Sequence, residues 1–456
     1  MRIIVQGNKD YLKFFPTQTK AEKTQYVFSP YLLEQDTAEG KLLLSTLTGE
    51  LVLLAPEDLQ KNLQLDSSNS SAVFPLINHR FLIPEKAPEN LFVQALQTLM
   101  LKHRNIRKTI RNYTILPTTF CNAHCFYCYE NGTPHVHMTE ETAEKLVDFI
   151  AAHHGKEKVK LSWFGGEPLV GRSRIDQICS SLTKKGILFE SKMTSNGYLF
   201  DRDLIHHAKE FWNLTSIQIT LDGTEEIYNR TKAYVNAPEN PYQRVLRNID
   251  ALTDVGIYVK IRLNLDSHNA ENLFSLVQEL SDRYHQKDYL HVYVSPLNED
   301  AGFEPIEHSQ KDLERLAKQL IDLQELLEQK GWLQYGETEL PSMKITNCIA
   351  DDPACLLCTP EGIFGECIGR LYNHTVGSLE TSEINRAELN YWQQKQVFEG
   401  CVECPLFPSC GHLLMHCPVN RKCTEYEKNR RIARYKEIML KEYEKWKQSQ
   451  ACPEQT

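Results

Sequence analysis

No apolar stretch in this chain approaches the ~18–20 residues needed to cross a bilayer, so no membrane partner is expected. The chain also lacks an excess of positive charge. Its 51 Lys and Arg stand against 60 Asp and Glu, a formal charge of −9, which gives no reason to expect a nucleic-acid partner over the whole surface. The opening stretch, MRIIVQGNKDYLKFF, sets charges inside short apolar runs and makes a poor secretory signal, so the expected location is cytoplasmic. There is no low-complexity tract and no repeat beyond strand–helix units. Cysteine is absent from residues 1–111 and again between Cys179 and Cys348.

Where cysteine does occur, it is dense. Nine of the 14 fall between Cys348 and Cys423, and three more form the CxxxCxxC of Cys121, Cys125 and Cys128. In a reducing compartment such crowding points to metals or clusters rather than disulfides. A structural zinc site wants four protein ligands, and the stretch FCNAHCFYCYE offers three. Either a fourth ligand lies elsewhere or one coordination position is open.

At 456 residues the chain has room for two or three domains. Residues 1–111 read as a small α/β module. GKLLLSTLTGELVLLAPEDLQKNL gives two apolar strands around a Thr-Gly turn, then a short helix opened by Pro56, and PENLFVQALQTLMLKHRNIRKTI has helical spacing. From Tyr113 strands and helices alternate through six units, the pattern of a parallel sheet covered by helices. Such a sheet is either doubly wound or a partial barrel, and in both cases function sits at the C-terminal ends of the strands. A long amphipathic helix is expected within 306–340, a cysteine-rich region over 341–430, and a charged helix and tail over 431–456.

Motifs stand at those strand ends. FGGEP (Phe164 to Pro168) ends the second strand, TSNG (Thr194 to Gly197) the third and TLDG (Thr220 to Gly223) the fourth. Adjacent glycines let a ligand approach the backbone, Glu167 can hold an ammonium group, and Asn196 and Thr220 offer hydrogen-bonding partners. Each alone is usually a plain turn. Three in this order, after the cysteine motif that follows the first strand, are not unrelated turns.

CxxxCxYC, GGEP, Ser-Asn-Gly and Leu-Asp-Gly in succession over residues 113–300 resemble the radical S-adenosylmethionine superfamily. The resemblance implies a partial (β/α)6 TIM-type barrel, with the radical core at 112–305. It implies a 4Fe–4S cluster on Cys121, Cys125 and Cys128 whose open iron takes the methionine moiety of S-adenosylmethionine. Electron transfer to the sulfonium then gives a 5′-deoxyadenosyl radical that abstracts hydrogen. By position, Tyr127 would contact adenine. Gly166 and Glu167 would meet the amino group, with Ser195 and Asn196 beside them, and Thr220 the carboxylate or ribose. Lys232 would pair with the carboxylate, and Leu297 would pack on adenine.

The second cysteine region resembles the SPASM domain, which carries two auxiliary 4Fe–4S clusters, making three in all. Cys401, Cys404, Cys410 and Cys423 would hold the outer one. Cys348, Cys367 and Cys417 would hold the inner one, with either Cys355 or Cys358 as a fourth ligand or one iron left open. Cys355 and Cys358 are three apart, so on a strand they point to opposite faces. Relatives of this subclass mostly modify peptides. The expected activity is therefore a maturase that crosslinks a ribosomally made precursor peptide through a thioether or carbon–carbon bond, with a reductant such as flavodoxin or ferredoxin. The first 111 residues would be either a leader-recognition module or a structural lid. Formylglycine formation on a sulfatase is the alternative within the class. A zinc-ribbon nucleic-acid module is the alternative outside it.

Overall fold

The computed structural model describes residues 1–15, 25–56, 70–106, 109–128, 130, 132–266, 268–285, 288–297, 310–332, 340–345, 348–370, 375–410, 413–414 and 425–451. The short helix expected after Pro56 falls on residues outside these, as do Cys417, Cys423 and Cys452.

Six strands carry the site: β7 (Asn112–Ile115), β8 (Val159–Trp163), β9 (Phe189–Ser195), β10 (Leu214–Leu221), β11 (Tyr258–Leu265) and β12 (Leu290–Pro296). They lie in the sheet in plain chain order, each parallel to the next. A doubly wound sheet reverses its strand order. This one does not, so the parallel sheet is of the partial-barrel kind. On β8 the alternation is clean: Val159, Leu161 and Trp163 are buried, whereas Lys160 and Ser162 are not. The buried set joins the apolar faces of helices α3 (Glu140–His153), α4 (Arg172–Lys184), α7 (Pro241–Asp254) and α8 (Ala270–Arg283) in one continuous core. Helix α9 (Gln310–Gln329) packs on α8 and β12, and its Leu320, Leu323 and Leu327 belong to that same core.

The sheet does not end at β7. Strand β13 (Cys355–Cys358) adds parallel to it, Cys355 facing Asn112 and Cys358 facing Ile115. Strand β14 (Ile363–Gly365) then turns back antiparallel, and two short strands follow, giving ten strands in all. The cysteine-rich segment thus covers an edge that would otherwise be exposed.

Before the barrel, β1 (Arg2–Val5), β3 (Leu32–Thr37), β4 (Gly40–Ser45) and β5 (Leu51–Leu54) form an antiparallel sheet in the order β1-β5-β4-β3. The runs LLL in β4 and LVLL in β5 do not alternate with polar residues, as a strand with one wet face would. Both faces are in fact covered. Leu43, Val52 and Leu54 pack under helix α1 (Ser70–Asn78) through Val73, Leu76 and Ile77. Leu33, Leu42, Leu44, Leu51 and Leu53 pack against Leu406 and against Met439 and Tyr443 of the C-terminal helix (Glu425–Ala451). That helix is tied to α9 by Arg434 and Lys441, both on Glu328, the latter at 3.2 Å. Its apolar stripe, Ile438, Met439 and Tyr443, is buried. Among the described residues no helix is long and apolar enough to cross a membrane.

The Thr48-Gly49 turn is not an open tip. Leu47, Thr48 and Glu50 are buried, and Gly49 lies against Pro341 and Ser342. Deleting residues 1–105 should therefore uncover Leu406, Met439 and Tyr443, each such burial being worth about 1.5–3 kcal/mol. The expected result is a truncated chain that binds the dye ANS and unfolds at lower urea than the full chain.

Candidate active site

The loop after β7 carries the three cysteines and is held as a unit. Thr119 N donates to Val136 O at 2.9 Å and Met138 N to Pro117 O at 2.9 Å, closing its base. Phe120 stacks on His137 with ring centroids 4.3 Å apart. Within the loop, Cys128 N donates to Cys125 O at 3.1 Å. Burial pushes the Cys121 thiol up to about 12, with further contributions from Glu167 and from Cys125 and Cys128. The three sulfurs are thus within electrostatic reach of one another. Among the described residues, no three His, Cys, Asp or Glu side chains are drawn close enough to hold a single metal ion. Cys121, Cys125 and Cys128 are the three thiols that would hold a four-iron cluster with one iron left without a protein ligand.

The end of β8 is threaded under this loop. Glu167 N donates to Phe120 O at 2.8 Å. A Cβ at Gly165 would stand 2.3 Å from Thr118 O, and one at Gly166 2.3 Å from Phe120 O. The close approach that needs two glycines is therefore made by the chain itself. Glu167 is fully buried, and its carboxylate accepts from Ser195 Oγ at 2.8 Å, Asn196 N at 2.8 Å and Leu169 N at 3.2 Å. The carboxylate read from sequence as a holder of an ammonium group is thus engaged in fastening the end of β8 to the end of β9. Asn196 Nδ2 donates to Asn122 Oδ1 at 2.7 Å, joining β9 to the cysteine loop.

Burial pushes the Glu167 carboxyl up to about 7, against the opposing pull of its hydrogen bonds. A carboxyl with a folded-state value above its ordinary 4.5 holds its proton longer in the native state, so stability falls as pH rises from about 4.5 through about 7 and then levels. Urea midpoints of the apoprotein across that window should show this slope, and Glu167→Gln should flatten it.

The fourth strand end supplies a buried ion pair. Lys232, in the last turn of helix α6 (Glu225–Lys232), places Nζ 3.1 Å from Asp222 Oδ2 and donates to Tyr127 OH at 2.9 Å. Tyr127 OH donates to Asp222 Oδ1 at 2.8 Å, and Asn264 Nδ2 also donates to Oδ1, at 3.0 Å. Burial alone would lower the Lys232 ammonium, but Asp222, Tyr127 and Cys125 outweigh it and hold it well above its ordinary range. The backbone joins in: His124 N donates to Lys232 O and Val235 N to Asn122 O, both at 2.9 Å. Ala233 takes a positive φ of 45° to make that turn.

Tyr127, Gly166, Glu167, Ser195, Asn196 and Lys232 therefore share one hydrogen-bonded network with the cysteine loop. Thr220 lies half-buried on β10 opposite Arg262 of β11. Leu297 follows β12 at the far side of the sheet, its N donating to Leu265 O at 2.8 Å. Asp222, within TLDG, is a functional residue that the motif alone gives no role. Its position directly after the strand, before Gly223, was the only signal that it mattered.

In the second cysteine region, Cys401 opens a 3-10 turn, Cys404 N donates to Cys401 O at 3.0 Å, and Cys410 ends the short helix Phe407–Cys410. Cys410 and Cys401 both act on the Cys404 thiol, which burial raises. Cys348 is exposed and precedes the turn Ile349–Asp351 that leads into β13, and Cys367 is half-buried two residues after β14.

Fold and site together define an S-adenosylmethionine-dependent enzyme: residues 115–277 match the family described as the Radical SAM superfamily and form a radical SAM domain. Enzymes of this family use a 4Fe–4S cluster and S-adenosylmethionine. Among relatives of known activity, the chain is 25% identical over 295 residues to a GTP 3',8-cyclase of Clostridium perfringens (strain 13 / Type A), covering 62% of this chain and 88% of that one. It is 28% identical over 175 residues to a probable GTP 3',8-cyclase of Saccharolobus islandicus (strain M.14.25 / Kamchatka #1), covering 38% of this chain and spanning about half (53%) of that relative. Among solved structures, it shares the fold of native anSMEcpe with bound AdoMet and Kp18Cys peptide, with a TM-score of 0.58 at 15% identity over 73% of this chain and 99% of that one.

Proposed function

We propose that this chain is a radical peptide maturase of the SPASM type, acting on a ribosomally made precursor peptide to form a thioether or carbon–carbon crosslink. The observation that carries the reading is the second cysteine group. Cys401 and Cys410 both stand within electrostatic reach of Cys404, outside the radical SAM domain, and the segment packs through Leu406 onto the N-terminal sheet. A structure of similar fold, anSMEcpe, carries both AdoMet and a peptide, which supports a peptide as substrate here.

Cys121, Cys125 and Cys128 would hold the cluster that binds S-adenosylmethionine, and the chemistry supplied there is one-electron cleavage of the sulfonium to give a hydrogen-abstracting radical. The electron would come from a flavodoxin- or ferredoxin-type donor. Because the Glu167 carboxylate is committed to Ser195 and Asn196, contact with the methionine amino group falls to the backbone of Gly166 and Glu167. Lys232 and Tyr127 would position the nucleoside and carboxylate ends, with Thr220 and Leu297 as further contacts. Cys401, Cys404, Cys410 and Cys423 would hold an outer auxiliary cluster, and Cys348, Cys367 and Cys417 an inner one. A leader peptide would add along β3, whose outer side is paired with no other strand among the described residues.

The experiment is co-expression with short peptides encoded beside the gene, followed by mass spectrometry. A core peptide lighter by the hydrogens lost on crosslinking supports the reading. The identity to GTP 3',8-cyclases favours a second reading, in which the substrate is a nucleotide. Turnover of GTP with all peptides left unmodified would establish that reading and end the first.

A further inference from the structure

We propose that Arg262 holds an oxyanion of the substrate at the mouth of the barrel. Only the source of that oxyanion, a carboxylate of the core peptide, rests on the peptide-maturase reading. The face of the sheet turned away from the helices carries the site. Side chains alternate between the two faces of a strand. On β11, Val259, Ile261 and Leu263 join the core with the helices, and Lys260, Arg262 and Asn264 take the other face.

Register sets Arg262 beside the candidate active site. It pairs with Thr220 on one side and Tyr293 on the other. Tyr293 OH donates to Gln218 Oε1 at 2.7 Å. Gln218 pairs with Lys260, so this bond bridges β11 between the rows of Lys260 and Arg262. Two residues further along the same face, about 7 Å of strand, Asn264 Nδ2 donates to Asp222 Oδ1 and so joins the Lys232–Tyr127 network. The guanidinium reaches toward that end of the sheet. Its Nη2 donates to the carbonyl of Pro296, the last residue of β12, at 3.5 Å, a long and weak bond.

Among the described residues nothing else receives this cation. Its Nε is buried and without an acceptor. Glu190 is the only carboxylate in the six strands. It lies toward the opposite end of the sheet, where Lys158 donates to it at 2.6 Å and Lys160 stands 3.8 Å away. Asp222 is committed to Lys232, Tyr127 and Asn264. A buried donor without a partner is rare and calls for an explanation. A guanidinium with its fork unfilled matches the two oxygens of a carboxylate or phosphate, which it binds through paired, charge-assisted hydrogen bonds. A substrate oxyanion seated there would fix which part of the substrate lies next to the cofactor.

The test uses the full chain, reconstituted anaerobically, and the peptide encoded beside the gene that it modifies. Each Asp and Glu of that peptide is changed singly to Asn or Gln, and its C-terminus is amidated in turn. One of these changes should lower kcat/KM about tenfold or more, chiefly through KM, and Arg262→Gln should lower it by a like amount. The two together should lose little more than either alone, as groups that act on each other do. Arg262→Lys keeps the charge without the fork and should fall between the wild type and Arg262→Gln. It decides the matter if the glutamine variant does not fold by circular dichroism. Losses that multiply for every carboxylate overturn the proposal, as does an equal loss from Lys260→Gln, one row deeper. An equal loss of 5′-deoxyadenosine formation without peptide also overturns it, because Arg262 then serves the cofactor. If no peptide is modified and GTP is turned over instead, the peptide-maturase reading falls. The oxyanion site then stands, with phosphate as its ligand, if Arg262→Gln raises KM for GTP about tenfold or more, and it falls with that reading if KM is unchanged.

Discussion

Replacing Cys121, Cys125 and Cys128 together by alanine is expected to reduce 5′-deoxyadenosine formation with dithionite to the level of a no-enzyme control. Reaction requires a cluster with one iron free to take the cofactor, and these three thiols are the ones that the loop after β7 brings into mutual reach. The loop should survive the change. Its base is closed by Thr119 to Val136 and Met138 to Pro117, and its tip by His124 to Lys232, none of which uses a sulfur. Any iron that Cys401, Cys404 and Cys410 would hold under the proposed function should remain. Continued cofactor cleavage by the triple variant would mean that the initiating site lies elsewhere in the chain.

Lys232→Met is expected to lower stability by about 3–5 kcal/mol, because it leaves the carboxylate of a nearly wholly buried pair without its cation. Tyr127 and Asn264 still donate to Asp222, which places the loss toward the lower end of that range. Adding Asp222→Leu should recover part of the loss, since removing both charges is far less damaging than removing one. Urea unfolding of the wild type, both single variants and the double variant measures the coupling. Lys232→Arg keeps the charge and should keep more stability than the methionine variant. Equal midpoints for Lys232→Met and wild type would show that the pair contributes nothing.

The barrel was legible because its signals are local. Alternation such as that of β8, and glycines at φ +116 and +79 in FGGEP and TSNG, act within a few residues. The Tyr127–Asp222–Lys232 cluster was not. Its members are 95 and 105 residues apart in sequence, and no local rule pairs a tyrosine between two cysteines with an aspartate after a distant strand. The same holds for β13. CLLC read correctly as a strand with its cysteines on opposite faces, but its pairing with β7 bridges 243 residues from Asn112 to Cys355. The three bonds that the Glu167 carboxylate accepts were illegible for a related reason: a motif names a side chain without saying what folds over it. The two-faced burial of the N-terminal sheet did leave a trace, in the unbroken LLL and LVLL runs.

That sheet also sets a clock on biosynthesis. Its leucine face, Leu33 to Leu53, is closed by Met439 and Tyr443, so some 390 residues must be made after the sheet before its cover exists (443 − 53). At ~5–20 residues per second that is about 20–80 s on the ribosome. For most of that interval a leucine-rich surface stands outside the ribosome before Leu406, Met439 and Tyr443 have been made to cover it. Nascent chains stalled before residue 425 should therefore be held by chaperones, and release should coincide with emergence of the last helix.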